Sequence, residues 1–252
     1  MTTSAIVAIT AVAMIIAEHR RKARAFPRVR RWLPRALLFN GAQCAVAFIG
    51  ALSWDLWMDG HGSLFHLEGA SGIVIGYLVT TFVYYWWHRA RHEIPPLWNI
   101  FHQLHHSPQR IEIITSFYKH PLEIIVNGLL TASITYLALG LSAEASAVVV
   151  LVTGLAELFY HWNVATPYWL GFIFQRPESH CVHHQRGRHS HNYSDLPLWD
   201  WLFGTLENPR HFASDCGFTA DREQRVIDML LARNVNEKRT TTPRGTSLAK
   251  QR

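Results

Sequence analysis

Five stretches of this chain carry no Asp, Glu, Lys or Arg, and their lengths constrain the fold more than any other feature. Residues 1–17, 36–54, 69–87 and 124–143 are apolar runs of 17, 19, 19 and 20 residues; 145–156 is shorter and extends past Glu157 to Tyr160. A helix rises about 1.5 Å per residue, so roughly 20 apolar residues cross a hydrocarbon layer of about 30 Å. Buried helices of soluble proteins rarely come as repeated charge-free runs of this length. The expected fold class is all-α: an integral membrane helical bundle of about four to five transmembrane helices. A chain that is 49% hydrophobic is not a disordered one, and three Cys in 252 residues cannot make a disulfide scaffold.

The charges give the expected orientation. A signal peptide has its basic residues before the apolar stretch. Here Arg20, Arg21, Lys22, Arg24, Arg28, Arg30, Arg31 and Arg35 follow the first run, as for an uncleaved helix whose C-terminal end stays in the cytoplasm. The loop 55–68 and the turn near 140–144 contain no Lys or Arg, whereas 88–123 carries Arg89, Arg91, Arg110 and Lys119. Segments 18–35, 88–123 and everything from about His161 onward are therefore expected in the cytoplasm. The net charge of +6 then reflects topology and contact with anionic membrane lipids, with no nucleic-acid partner.

One membrane-embedded unit is expected over 1–230. Residues 231–252 form an expected disordered tail, polar from 234 onward. Pro95 and Pro96 break the helix leaving the third span. The aromatic stretch 196–203 (LPLWDWLF) suits the membrane interface.

Sixteen histidines, almost as many as the 18 acidic residues, are the second constraint. His88 and His92 make H-x-x-x-H. His102, His105 and His106 make H-x-x-H-H, and so do His180, His183 and His184. Positions i, i+3 and i+4 share one face of a helix, so each cluster aims two or three imidazoles at one point. Neutral imidazole is the usual nitrogen ligand for Fe, Zn, Cu and Ni. A structural zinc closes with four ligands, so eight or more histidines suit two ions with redox or Lewis-acid chemistry. By the topology above, all three clusters lie on one side, just past the ends of membrane helices. His161 follows the fifth run and is a further candidate ligand. His120 is a weaker one. Glu157, one turn before His161, is a candidate to orient that ring or simply an acid at the membrane boundary. His189 and His191 are candidate ligands or gate residues. His19, His61, His66 and His211 read as ordinary surface histidines.

These clusters, written HRARH (88–92), HQLHH (102–106) and HCVHH (180–184), resemble the fatty acid hydroxylase / sterol desaturase superfamily of integral membrane di-iron enzymes. The resemblance covers roughly 70–210 and includes the trailing NYSDLPLWDWLFGT (192–205), whose first residue, Asn192, becomes a candidate beside the metals. Ser194 stands where that family usually has Gly. The resemblance implies a helical membrane fold with a cytoplasmic cap carrying the histidine boxes. It implies two Fe ions, with Zn as a possible substitute, held by His88, His92, His102, His105, His106, His180, His183 and His184. His161 resembles an additional ligand of some members. It further implies O2 as oxidant, a lipid substrate (sterol, fatty acyl or other hydrophobic molecule) and either hydroxylation or desaturation. Catalytic groups beyond the ligands are not indicated. No G-x-G-x-x-G or fused cytochrome b5 motif is present, so electrons are expected from a separate ferredoxin or cytochrome b5-like donor with its reductase. The alternatives are a non-oxidative zinc-dependent membrane protein and a metal transporter; the latter wants ionisable residues inside its spans, which are scarce here.

Overall fold

The computed structural model describes residues 3–58 and 62–236. These are helical, with no strand among them; the only extended pairing is an isolated bridge between Gln185 and Cys216. Five long helices form the body: α1 (Thr3–Arg21), α2 (Trp32–Met58), α3 (Gly69–Glu93), α5 (Pro121–Ala132, continuing as a π-helical segment Ser133–Ala138) and α6 (Ala143–Tyr160). Among the described residues, α3, α5 with its continuation and α6 are long and apolar enough to cross a membrane. The other two expected spans fall on α1 and α2, which pack on α6 and α5. The last turn of α1 already carries Glu18, His19, Arg20 and Arg21, so that helix ends as a polar anchor. The whole is a helical membrane bundle.

Close approach of α3 to α6 depends on Gly76. A Cβ there would lie 2.8 Å from Leu141 Cδ1 and 3.2 Å from Val149 Cγ2. Around it Ile134, Leu139, Leu141, Ala145 and Val149 form one buried cluster. The outward faces stay apolar: Leu38, Phe48, Ile49 and Leu52 of α2 and Val74, Ile75 and Leu78 of α3 are exposed, as lipid-facing residues must be.

One end of the bundle is roofed by short elements. Ile94, before Pro95, is extended (φ −104°, ψ 107°), which stops α3 and starts α4 (Pro95–Leu97) and a π-helical turn, Trp98–His102. A 3-10 turn (Ile113–Thr115), a second one (Tyr168–Phe172) and α7 (Pro177–His183), α8 (Pro197–Leu202), α9 (Ala220–Glu223) and α10 (Val226–Leu230) complete the roof. Glu18 of α1 ties in, accepting from the backbone N–H of Asn163 (2.8 Å) and Ile113 (3.3 Å). Trp32 at the start of α2 donates to Glu112 (2.7 Å). Trp32, Phe39, Leu104, Tyr118, Phe218, Met229 and Val235 form the core beneath.

Within the expected tail, Val235 is 1% exposed and its N–H donates to Gln103 Oε1 (3.4 Å), while Gln103 donates to the Arg233 carbonyl (3.0 Å), beside the second histidine cluster. The rest of the expected tail, 237–252, and His61 lie outside the described residues.

Candidate metal centre

The centre lies where the C-terminal ends of α3 and α6 meet the roof. Two groups of histidine nitrogens form there, each with ligand atoms within 4.8 Å of one another. The first comprises His88, His92, His102, His106 and His183; the second comprises His105, His161, His180 and His184. All nine histidines singled out as ligands are brought together, and none of the nine is left outside. The groups touch: the rings of His106 and His184 stack at 4.1 Å.

Helix geometry accounts for this division. His88 and His92 sit one turn apart on α3. The π-helical turn places His102 beside them (His88 Nε2 to His102 Nε2 2.9 Å), and His106 follows (Nε2 to His102 Nε2 3.2 Å). His105 points the other way, toward His161 and His184. His180 of α7 and His184, which caps that helix, join the second group and His183 joins the first, so each H-x-x-H-H segment serves both groups.

Backbone carbonyls set the tautomers. His88 Nδ1 donates to Tyr193 O (2.7 Å), His183 Nδ1 to His191 O (2.6 Å), His161 Nδ1 to Glu157 O (2.9 Å) and His105 Nδ1 to Tyr118 O (3.3 Å). His102 Nδ1 faces the Glu123 carboxylate at 3.2 Å. Arg91 Nη1 lies 3.3 Å from the same His102 Nδ1, and the Nε2 atoms of His88 and His102 approach to 2.9 Å, close enough to share one metal ion. In the second group the Nε2 atoms of His161, His180 and His184 converge to 3.0–3.1 Å, and in the first His92 Nε2 and His183 Nε2 are buried without hydrogen-bond partners. Buried polar atoms are rarely left so, and these two fit a bound metal. Burial also keeps the rings neutral. It holds His102, His105, His106, His180 and His184 well below the usual imidazole range and pushes His161 and His183 down to about 3. Neutral imidazoles in two pockets are the donor set that a borderline transition-metal ion takes.

The remaining candidates divide. His189 lies beside the first group, its Nδ1 3.1 Å from His106 Nδ1 and its ring against Trp98; burial lowers it to about 4. His191 contributes its carbonyl, and its ring nitrogen meets the Ser190 hydroxyl (3.0 Å). His120 is not brought to the centre. It caps α5, accepting from the Leu122 N–H (3.1 Å), and its other nitrogen meets the Leu230 carbonyl (3.3 Å). Glu157 orients His161 through its backbone carbonyl, whereas its carboxylate pairs with Lys119. Asn192 is a loop staple: its amide donates to Ser179 O (2.9 Å), its Oδ1 accepts from the Glu207 N–H (2.8 Å), and its carbonyl accepts from Gln175.

Two features escaped the sequence reading. One is the buried pair Arg91–Glu123, which holds His102 from behind. The other is Asp200, whose carboxylate accepts from the Tyr193 N–H (2.8 Å), the Ser194 N–H (2.9 Å) and the Thr205 hydroxyl (2.7 Å). It fixes the loop 187–193, in which His189, His191 and Asn192 adopt left-handed conformations (φ 46°, 70° and 50°). Such conformations persist in non-glycine residues only where the surroundings over-determine them. Asp200 and Asn192 thus explain the trailing motif: the loop they hold presents the carbonyls of His191 and Tyr193 to ligand rings. Ser194 is not among the residues with positive φ, so the usual glycine's freedom is not needed there.

The family profile described as Fatty acid hydroxylase matches residues 73–205. Among curated proteins, the chain is 29% identical over 130 residues to sphingolipid C4-hydroxylase sur2 of Schizosaccharomyces pombe, covering 50% of this chain and 44% of that protein. It is 34% identical over 154 residues to the ornithine lipid hydroxylase OlsE of Rhizobium tropici (58% and 45%). It is 33% identical over 135 residues to the human alkylglycerol monooxygenase (52% and 29%). The chain therefore spans less than half the length of each of these relatives. No solved structure matches it. The profile match covers more than half of the residues and contains both H-x-x-H-H segments that build the two nitrogen pockets, so the chain belongs to the fatty acid hydroxylase family.

Proposed function

We propose that the protein is a membrane oxygenase that hydroxylates or desaturates a lipid at a di-iron centre, using O2 and electrons from a separate donor. The observation that carries this reading is the pair of all-histidine pockets, with converging ring nitrogens, at one end of a membrane bundle. His88, His92, His102, His106 and His183 would hold one iron and His105, His161, His180 and His184 the other. Bound there, the irons supply activation of O2 toward an unactivated C–H bond. The chain's part is positional. The carbonyls of Tyr193, His191, Glu157 and Tyr118 hold the rings of His88, His183, His161 and His105 in one tautomer, and the Arg91–Glu123 pair orients His102. Trp98 and Tyr193 close over the first group and Tyr160 lies against His180, excluding water from the reacting centre.

A lipid substrate is supported by the names of the relatives, whose substrates include sphingolipid, ornithine lipid and alkylglycerol. The distribution of Lys and Arg supports a cytoplasmic position for the centre, where an acidic electron carrier is steered to basic residues. The test compares lipids of cells with and without the protein, grown under 18O2, together with metal analysis of protein purified without histidine-affinity resin. A lipid gaining one labelled oxygen or losing two hydrogens, with iron in the protein, is expected. Stoichiometric zinc, no iron-restored activity and an unchanged lipid profile would sink the reading.

A further inference from the structure

Cys181 and Cys216 lie 35 residues apart in sequence, are both free and buried, and bring their Sγ atoms to 2.9 Å. Cys181 stands between two ligand histidines of α7. Cys216 belongs to a strap that crosses both H-x-x-H-H segments. Arg186 N–H donates to Asp215 O (3.0 Å), Gly217 N–H to His184 O (3.0 Å) and Phe218 N–H to Ser107 O (3.1 Å). Gly217 (φ +69°) permits the approach, because a Cβ there would lie 2.2 Å from the Pro108 carbonyl oxygen. On its outer side Cys216 lines a cavity of about 210 Å³ with Arg24, Arg186 and Ser214. Arg24 Nη1 donates to Cys216 Sγ (3.3 Å) and to the Ala213 carbonyl (3.3 Å).

We propose that Cys181 and Cys216 are a reversible dithiol–disulfide clasp, oxidised by a hydroperoxide that enters through the Arg24 cavity. The sulfurs stand about 0.9 Å beyond a disulfide bond of roughly 2.05 Å, so closure needs only a small movement. The Cys216 sulfur attacks one peroxide oxygen, the O–O bond breaks, and the leaving oxygen takes the thiol proton and departs as water or alcohol. The Cys181 sulfur then attacks the resulting sulfenic acid. The S–S bond forms, the S–O bond breaks, and the hydroxyl leaves with the Cys181 proton as water. Two thiols lose two electrons and the peroxide is reduced. Arg24 is placed to stabilise the attacking sulfur as a thiolate. The closed bond ties α7 covalently to the strap that also holds the Ser107 end of the second histidine segment. This proposal is independent of the lipid chemistry above, since any hydroperoxide suffices.

The test treats purified, metal-loaded full-length protein in detergent with hydrogen peroxide, then denatures it, alkylates free thiols and maps peptides by mass spectrometry. A Cys181–Cys216 cross-link that dithiothreitol reverses, with exposed Cys44 still alkylated, is the expected result. In Cys181→Ser, Cys216 is expected to stop as a sulfenic acid captured by dimedone. Full alkylation of both buried cysteines in wild-type protein after peroxide overturns the proposal, and so does oxidation confined to Cys44. The wild-type measurement decides the question even where the variant does not fold.

Discussion

At the scale of single residues, the centre separates what a histidine touches from what holds it. His105 is the member of the first H-x-x-H-H segment that turns away from the first group, so His105→Ala should remove metal from one pocket while leaving the bundle intact. Metal analysis and membrane fractionation check this; a fully metallated variant would refute the assignment. Glu123 is not one of the candidate ligands, yet it faces His102 Nδ1 at 3.2 Å and pairs with Arg91. Its neutral isostere cannot balance Arg91 or hold the His102 ring as firmly, so Glu123→Gln should weaken metal binding by about 10- to 100-fold, read by chelator competition. His120→Ala should retain both metals and lose only a helix cap, a destabilisation of about 1 kcal/mol in a thermal or denaturant midpoint. The difference between these residues explains what was legible. Ligands repeat at helical spacing and announce themselves in sequence. Glu123 lies 32 residues from Arg91 and 21 from His102, and only tertiary packing brings the three together. His120 reads as a ligand by residue type but is the residue before Pro121, which makes it a cap.

At the scale of elements, the aromatic stretch 196–203 was readable as interfacial because it is short, apolar and Trp-rich. The structure gives it a companion. The 3-10 turn Tyr168–Phe172 packs beside α8, and Trp169, Phe172, Ile173, Leu198, Trp201 and Leu202 are exposed on these two elements and the residue after the turn. Trp199 faces inward, its indole donating to the Thr81 hydroxyl of α3 (2.9 Å), so the platform is fixed to a membrane helix. Exposed apolar area of this kind on a membrane protein rests against lipid. Replacing Trp169 and Trp201 together by Glu should raise KM for lipid presented in vesicles severalfold with metal content unchanged. An unaltered KM would remove the platform from any role in lipid contact. The 3-10 turn was invisible in sequence because its apolar residues lack both a helical and an alternating period.

At the scale of the whole molecule, the fold encloses many imidazoles in a dry site, and that has a consequence for stability without metal. A buried histidine whose folded pKa is depressed takes up protons less readily in the native state than in the unfolded chain, where its value is about 6.5. Its contribution is fully present above about 6.5 and is lost as pH falls toward the folded value, because protons then favour unfolding. His161 and His183 at about 3 and His189 at about 4 set a window running from about 6.5 down to about 3, and burial puts His102, His105, His106, His180 and His184 in the same direction. Asp195, raised by burial to about 7, and Asp200, raised by burial to about 6, act oppositely between those values and the ordinary carboxylate range. Histidines outnumber them, so the net slope follows the histidines. The metal-free protein in detergent should therefore melt at progressively lower temperature as pH is taken from 7.5 to 4.5. The metal-loaded protein should resist that decline, since each coordinated nitrogen no longer offers a lone pair to a proton. Thermal unfolding of both forms across this range measures the effect. A metal-free midpoint that stays level or rises on acidification would show that these histidines are not held neutral by the fold, and that the pockets assemble only when metal arrives.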